Sequence, residues 1–137
     1  MISEMRSLYR ILDANFNRAK EGLRVCEDIC RFVLDKKGLT RSYKDVRHRL
    51  TDVMVSLKIQ EFIKARNVVK DVGKPSTAME FQRKEMKDVF YANSQRVKES
   101  IRVLEEFLKL KNKTSAQELK TLRYTIYGLE QKVIKAM

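Results

Sequence analysis

Two stretches of this chain are written almost alike. "ANFNRAKEGLRVCED" begins at Ala14 and "ANSQRVKESIRVLEE" at Ala92, and eight of their fifteen positions are identical, where unrelated segments would share about one. The likeness continues further on: "YKDVRHRL" from Tyr43 matches "LKTLRYTI" from Leu119, keeping Lys44 with Lys120 and Arg47 with Arg123 at an offset shorter by two residues. A chain that repeats a unit of this length has the same kind of surface to bury twice. Each half therefore reads as a helical hairpin, and the pair as an all-α four-helix bundle with an approximate two-fold axis.

The rest of the sequence agrees with that class. A length of 137 residues suits one domain, 1–137, with a real core. Only 4 Gly and 1 Pro interrupt it, so long helices are favoured over turns. From about Ser7 to Asp35 the apolar residues Leu8, Leu12, Ala19, Leu23, Cys26, Cys30 and Val33 recur at helical steps, and Gly38 is expected to end that helix. Thr40 or Ser42 should open a second, running to about Leu57 or Ala65. The stretch "RNVVKDVGKPSTA", residues 66–78, lacks a stripe and reads as the main loop. A third helix is expected from about Glu80 to Leu110, and Ser115, with Glu118 three residues later, should open a fourth. The repeats then span about 7–65 and 80–137.

Lys and Arg number 30 against 18 Asp and Glu, a net charge of +12. Such an excess attracts phosphate, whether on nucleic acids, nucleotides or phosphorylated metabolites. Cys26 and Cys30, four apart, share a helix face where disulfide geometry is hard to meet, so they read as buried thiols in a reducing compartment. With one histidine, His48, a zinc-type metal set is not expected. "MISEMRSLYR" carries no apolar leader core and no stretch has the length of a membrane span, so a soluble cytoplasmic protein is expected.

Within the repeat, Asn15 falls in the middle of the apolar arc, and Asn93 repeats the oddity. A buried amide without partners costs about 1–3 kcal/mol, so each needs some, either as a hydrogen bond between helices or beside a cavity near the axis. Next to that arc runs a second stripe, Arg18, Glu21, Val25 and Asp28, matched by Arg96, Glu99, Val103 and Glu106. One copy would read as i,i+3 ion pairs contributing a few tenths of a kcal/mol each. Two copies, kept while neighbours change from Phe16 to Ser94 and from Cys26 to Leu104, point instead to Arg18 and Arg96 as a phosphate clamp. Glu21 and Glu99 then hold the arginines or a Mg²⁺, and Arg47 and Arg123 support from the second helices.

"DVGKPST" is not a nucleotide-binding P-loop: the first glycine of that spacing is missing, Pro75 breaks the Gly-Lys-Ser/Thr order, and no strand precedes it. It reads either as a linker or as a lid in which Asp71, Gly73, Lys74, Ser76 and Thr77 cover a ligand.

Together, "RILDANFNRAKEGLRVCEDICRFVLD", "VRHRL", "KDVG", "KDVFYANSQRVKESIRVLEEFLKL" and "LKTLRYTIYGLE" resemble the helical domain often fused ahead of thiamine phosphate synthase. That family is described as an alternative hydroxymethylpyrimidine phosphate kinase, unrelated to the ribokinase-like enzyme. The resemblance implies transfer of the γ-phosphoryl group of ATP to hydroxymethylpyrimidine phosphate, with Mg²⁺ as cofactor and thiamine phosphate synthase as a partner. The acceptor is already an oxyanion near neutral pH, so positioning and charge neutralisation suffice, as an Arg-rich, carboxylate-flanked cavity would supply. Because donor and acceptor differ, the lid should bind the nucleotide phosphates, with Asp71 on the metal and Glu21 and Glu99 as rivals. The alternatives are a non-catalytic scaffold for the synthase and, less favoured because its cations sit beside carboxylates, a nucleic-acid-binding bundle. A homo-oligomer is left open.

Overall fold

The structure is a computed structural model that describes residues 2–75 and 82–137. Those residues hold five α-helices and no strand: α1 (Ile2–Asp28), α2 (Lys37–Ser56), α3 (Ile59–Ile63), α4 (Met86–Leu108) and α5 (Lys113–Ala136). The chain is all-helical over this span. The expected helix start at Glu80 and the lid residues Ser76 and Thr77 lie outside the described residues.

The ends of the helices differ from the sequence expectation in instructive ways. The first helical run ends near the expected Asp35, but Gly38 is not what ends it. α1 widens into a π-turn over Ile29–Val33, where the Leu34 N–H reaches Ile29 O at 3.0 Å. Asp35 then stops it by taking a left-handed backbone, φ 51°, a conformation that Asp tolerates better than most residues. Gly38 keeps negative φ and lies inside α2. Thr40 and Ser42 are also interior to α2, so their hydroxyls turn back to the carbonyls of Lys36 and Gly38, at 2.8 and 3.0 Å, and cap nothing. α2 ends at Ser56, beside the nearer of the two expected ends, Leu57, and short of Ala65, because Lys58 is left-handed with φ 61°. α4 opens with a capping box between Glu85 and Asp88. α5 opens on Asn112, whose Oδ1 accepts from the Ser115 N–H at 3.0 Å, ahead of the expected start.

α1 packs most extensively on α4 and also on α2, α5 packs on α4 and α2, and α3 lies against α1. One contiguous cluster of buried apolar side chains draws on α1, α2, α4 and α5, with Leu12, Leu23, Tyr43, Leu50, Ile101 and Leu122 at or below 1% exposure. Each such leucine or isoleucine contributes about 1.5–3 kcal/mol. Gly22 lets α1 and α4 approach closely, since a Cβ there would stand 2.6 Å from Val97 Cγ2 and 3.0 Å from Asn93 O. Tyr9 seats α3 through Phe62, ring centroids 4.9 Å apart.

The same ion pair closes both halves. Arg47 on α2 grips Glu27 on α1 with Nε–Oε1 3.0 Å and Nη2–Oε2 3.4 Å. Arg123 on α5 grips Glu105 on α4 through Nε to Oε2 and through Nη2 to Oε1 at 3.1 Å. Both carboxylates are 5% exposed and both arginines 14%. These are the positions that the two sequence offsets equate.

Cys26 and Cys30 are buried and free. Burial pushes the Cys30 thiol up to about 11, with the Glu27 carboxylate adding to it. Burial pushes Cys26 higher still, helped by Cys30 and Glu130. No helix of the described residues is long and apolar enough to cross a membrane.

Candidate functional site

A cavity of about 330 Å³ opens between the first half of α1 and the irregular segment that follows α3. Helical spacing puts Ser7, Ile11, Ala14, Asn15 and Arg18 along one side of α1, with Arg10 and Asp13 flanking. The opposite wall is Arg66, Asn67, Val68 and Asp71.

One contact fixes that wall. Arg66 donates from Nε and Nη2 to the two oxygens of Asp13, at 2.7 and 2.6 Å, a bidentate fork across 53 residues of chain. The Asp13 side chain is 5% exposed and that of Arg66 42%. The paired carboxylate raises the pKa of Arg66 further, so the guanidinium stays charged. Asn17 adds a third, longer donor to Asp13 at 3.3 Å. Beyond Arg66 the segment turns on itself: Asn67 Oδ1 accepts from the Lys70 N–H at 3.1 Å, and Asp71 Oδ1 from the Gly73 N–H at 2.9 Å. Asp71 is thereby held at the mouth with its second carboxylate oxygen outside that turn.

Asn15 is buried. Its Nδ2 donates to Ile11 O at 2.9 Å and its Oδ1 accepts from Arg18 Nη1 at 3.4 Å, so its partners are on its own helix. Arg18 is exposed, and among the described residues neither it nor Arg10 has an ion-pair partner. Asp13 being matched by Arg66, the remaining charges are two arginines against Asp71, a wall suited to a phosphate group.

Of the residues expected from sequence, the cavity gathers Asn15, Arg18 and Asp71, and not the rest. Asn93 repeats the local bond of Asn15, Nδ2 to Val89 O at 2.8 Å, but Arg96 and Glu99 lie exposed on α4, with Glu99 accepting from Gln95 at 3.0 Å. Glu21 is exposed on α1. Neither Arg18–Glu21 nor Arg96–Glu99 forms an ion pair, so the simple i,i+3 reading of that stripe does not describe it. Arg47 and Arg123 spend their forks on Glu27 and Glu105. Gly73 and Lys74 sit beyond Asp71 in the exposed turn, where the Lys74 N–H reaches Asp71 O at 3.2 Å.

Sequence reasoning missed Asp13, Arg66 and Arg10. Asp13 carried a signal, since an acid next to Leu12 on a helix bearing a buried stripe requires a cation. Arg66 carried none beyond opening the loop. Among the described residues no group of three or more His, Cys, Asp or Glu converges to hold a metal. Asp71 alone fits the looser demand of Mg²⁺, which keeps waters and substrate phosphate oxygens around one or two carboxylates.

The ThiD2 family pattern matches residues 10–132. The chain is 40% identical over 125 residues to a thiamine-phosphate synthase of Synechocystis sp., covering 90% of this chain and 35% of that protein. It is 41% identical over 130 residues to one of Thermosynechococcus vestitus (94% and 36%), and 38% identical over 136 residues to one of Prochlorococcus marinus (98% and 37%). The chain thus spans about a third of the length of the curated relatives it matches. No solved structure matches it. With nearly its whole length inside the family pattern, the chain belongs to the ThiD2 family.

Proposed function

We propose that this protein acts in thiamine biosynthesis as a phosphotransferase, moving the γ-phosphoryl group of ATP onto the phosphate of hydroxymethylpyrimidine phosphate. The observation that carries this reading is the cavity in which Arg10, Asn15 and Arg18 of α1 line one side and Asp71 the other, the two sides tied together by Asp13 and Arg66. Family membership and the likeness to thiamine-phosphate synthases support a setting in thiamine chemistry.

An oxygen of the acceptor phosphate forms the new bond to the γ-phosphorus as the bond to the β,γ-bridging oxygen breaks and ADP leaves with that electron pair. The acceptor is ionised, so no side chain has to remove a proton. Arg18 and Arg10 neutralise the two like-charged phosphates enough for approach, Arg18 being oriented by the Asn15 amide oxygen. Asp71 would hold Mg²⁺, which when bound supplies further charge neutralisation on the phosphate oxygens. We also take the fold as a four-helix bundle of two related hairpins about a pseudo-two-fold axis, supported by the matched pairs Arg47–Glu27 and Arg123–Glu105. The Asp13–Arg66 fork, by contrast, has no counterpart, since Tyr91 takes the place of Asp13 in the second half. That difference suits unlike roles for the halves.

The test is ADP formation by the isolated chain with Mg-ATP, with and without hydroxymethylpyrimidine phosphate. Acceptor-dependent ADP supports the proposal, and its absence favours a second reading. In that reading the chain is a non-catalytic helical partner of the synthase, as its span of a third of the relatives allows.

A further inference from the structure

Away from the cavity, the chain concentrates charge without matching it. Where the π-turn of α1 meets the start of α2, a groove of about 620 Å³ is lined by five cations, Arg31, Lys36, Lys37, Arg41 and Lys44, and by two carboxylates, Asp35 and Asp45. Among the described residues none of these five cations has an ion-pair partner, and Arg31 rests on the exposed Phe32 ring, 4.7 Å from its centroid. Like charges gathered this closely repel, and α2 carries no acid in its first turn to offset them. The arrangement is unfavourable in the free chain and favourable around an anion.

The same plan is written a second time. The groove between α4 and α5, about 530 Å³, has Lys109, Lys113 and Lys120 at the positions that the repeat equates with Arg31, Lys37 and Lys44. There, however, Glu106 neutralises Lys109 at 3.1 Å and Arg102 at 2.7 Å. In the first half Asp28 stands in the place of Glu106 and pairs with neither Arg31 nor Arg24. The first groove is the copy left open. It also lies far from the cavity, because Arg18 and Arg31 are thirteen residues apart on one helix, about 20 Å at 1.5 Å per residue.

We propose that this groove is a second anion site, separate from the phosphotransfer cavity, and that it takes a small molecule carrying two or more linked phosphates. The size falls in the range of small-ligand pockets. Lys37, Arg41 and Lys44 lie along one face of α2, and Arg31 from the π-turn and Lys36 from the connection close the groove beside them, so the cations border a single concavity. Five cations exceed what a single phosphate can engage, whereas a diphosphate offers enough oxygens to meet lysines and arginine forks together.

The test uses inorganic diphosphate as probe, followed by backbone amide NMR and by calorimetry near physiological salt. The expected result is saturable shifts centred on residues 36–44, with binding weakened at least about tenfold in Lys37→Ala/Arg41→Ala/Lys44→Ala and unchanged there in Arg18→Lys. These residues are exposed, so the triple variant should keep its fold, which circular dichroism checks. Shifts absent from 36–44, or reproduced at the same concentration by chloride, overturn the proposal. So does a single-stranded oligonucleotide that binds this face more tightly than diphosphate and spreads its shifts along α2.

Discussion

Arg66 and Asp13, 53 residues apart in sequence, are joined by two hydrogen bonds of 2.7 and 2.6 Å, and this fork attaches the segment carrying Asp71 to the helix carrying Arg18. Arg66→Ala leaves a carboxylate of 5% exposure without its cation. Fully buried pairs lose about 3–5 kcal/mol on such a change. Here water reaches the arginine side, so a loss of about 1–2 kcal/mol is expected. Urea denaturation measures it, and limited proteolysis should show faster cleavage between Arg66 and Lys74.

Glu27→Gln and Glu105→Gln test the equivalence of the halves. Each removes the charge that an arginine of 14% exposure requires, and each should lower stability by about 3 kcal/mol. Denaturation midpoints that agree for the two variants support matched hairpins. A loss in one and not the other separates them.

Gly22→Ala should lower stability by about 1–3 kcal/mol despite the better helix propensity of alanine, because its methyl meets Val97 at 2.6 Å and the Asn93 carbonyl at 3.0 Å. Thermal unfolding of this variant beside Gly128→Ala makes the comparison, since a Cβ at Gly128 meets nothing within 4 Å and should be neutral or stabilising.

Alkaline pH should destabilise the fold. Burial raises Cys30 to about 11, and raises Cys26 and Tyr43 as well. The folded chain therefore keeps protons that the unfolded chain releases above about pH 9, so the contribution is whole below pH 9 and declines as pH rises through 11. Urea midpoints at pH 8 and pH 10.5 measure it, and Cys26→Ala/Cys30→Ala should flatten the slope.

The all-helical class was legible in the sequence, and the repeat marked positions that the structure uses alike. The identical letters Glu27 and Glu105, and Arg47 and Arg123, mark the ion pairs as well as the repeat, although the arginines alone suggested phosphate ligands. Helix ends were less legible, because Gly38 suits an end and yet the left-handed Asp35 supplies it. The cavity wall was hidden for another reason. Asp13 and Arg66 occur once, belong to no periodic pattern, and meet only through the placement of α3 against α1.

The central claim is phosphoryl transfer at the Arg18 and Asp71 cavity, and phosphorus NMR of the isolated chain with Mg-ATP and hydroxymethylpyrimidine phosphate tests it most directly. The account predicts loss of the γ-phosphate resonance with growth of the coupled pair of a pyrimidine diphosphate. It further predicts turnover reduced at least about tenfold in Arg18→Lys, which loses the fork geometry, and a raised Mg²⁺ requirement in Asp71→Asn, both with wild-type helix content. Unchanged resonances, or wild-type turnover in both variants across a Mg²⁺ titration, would contradict it.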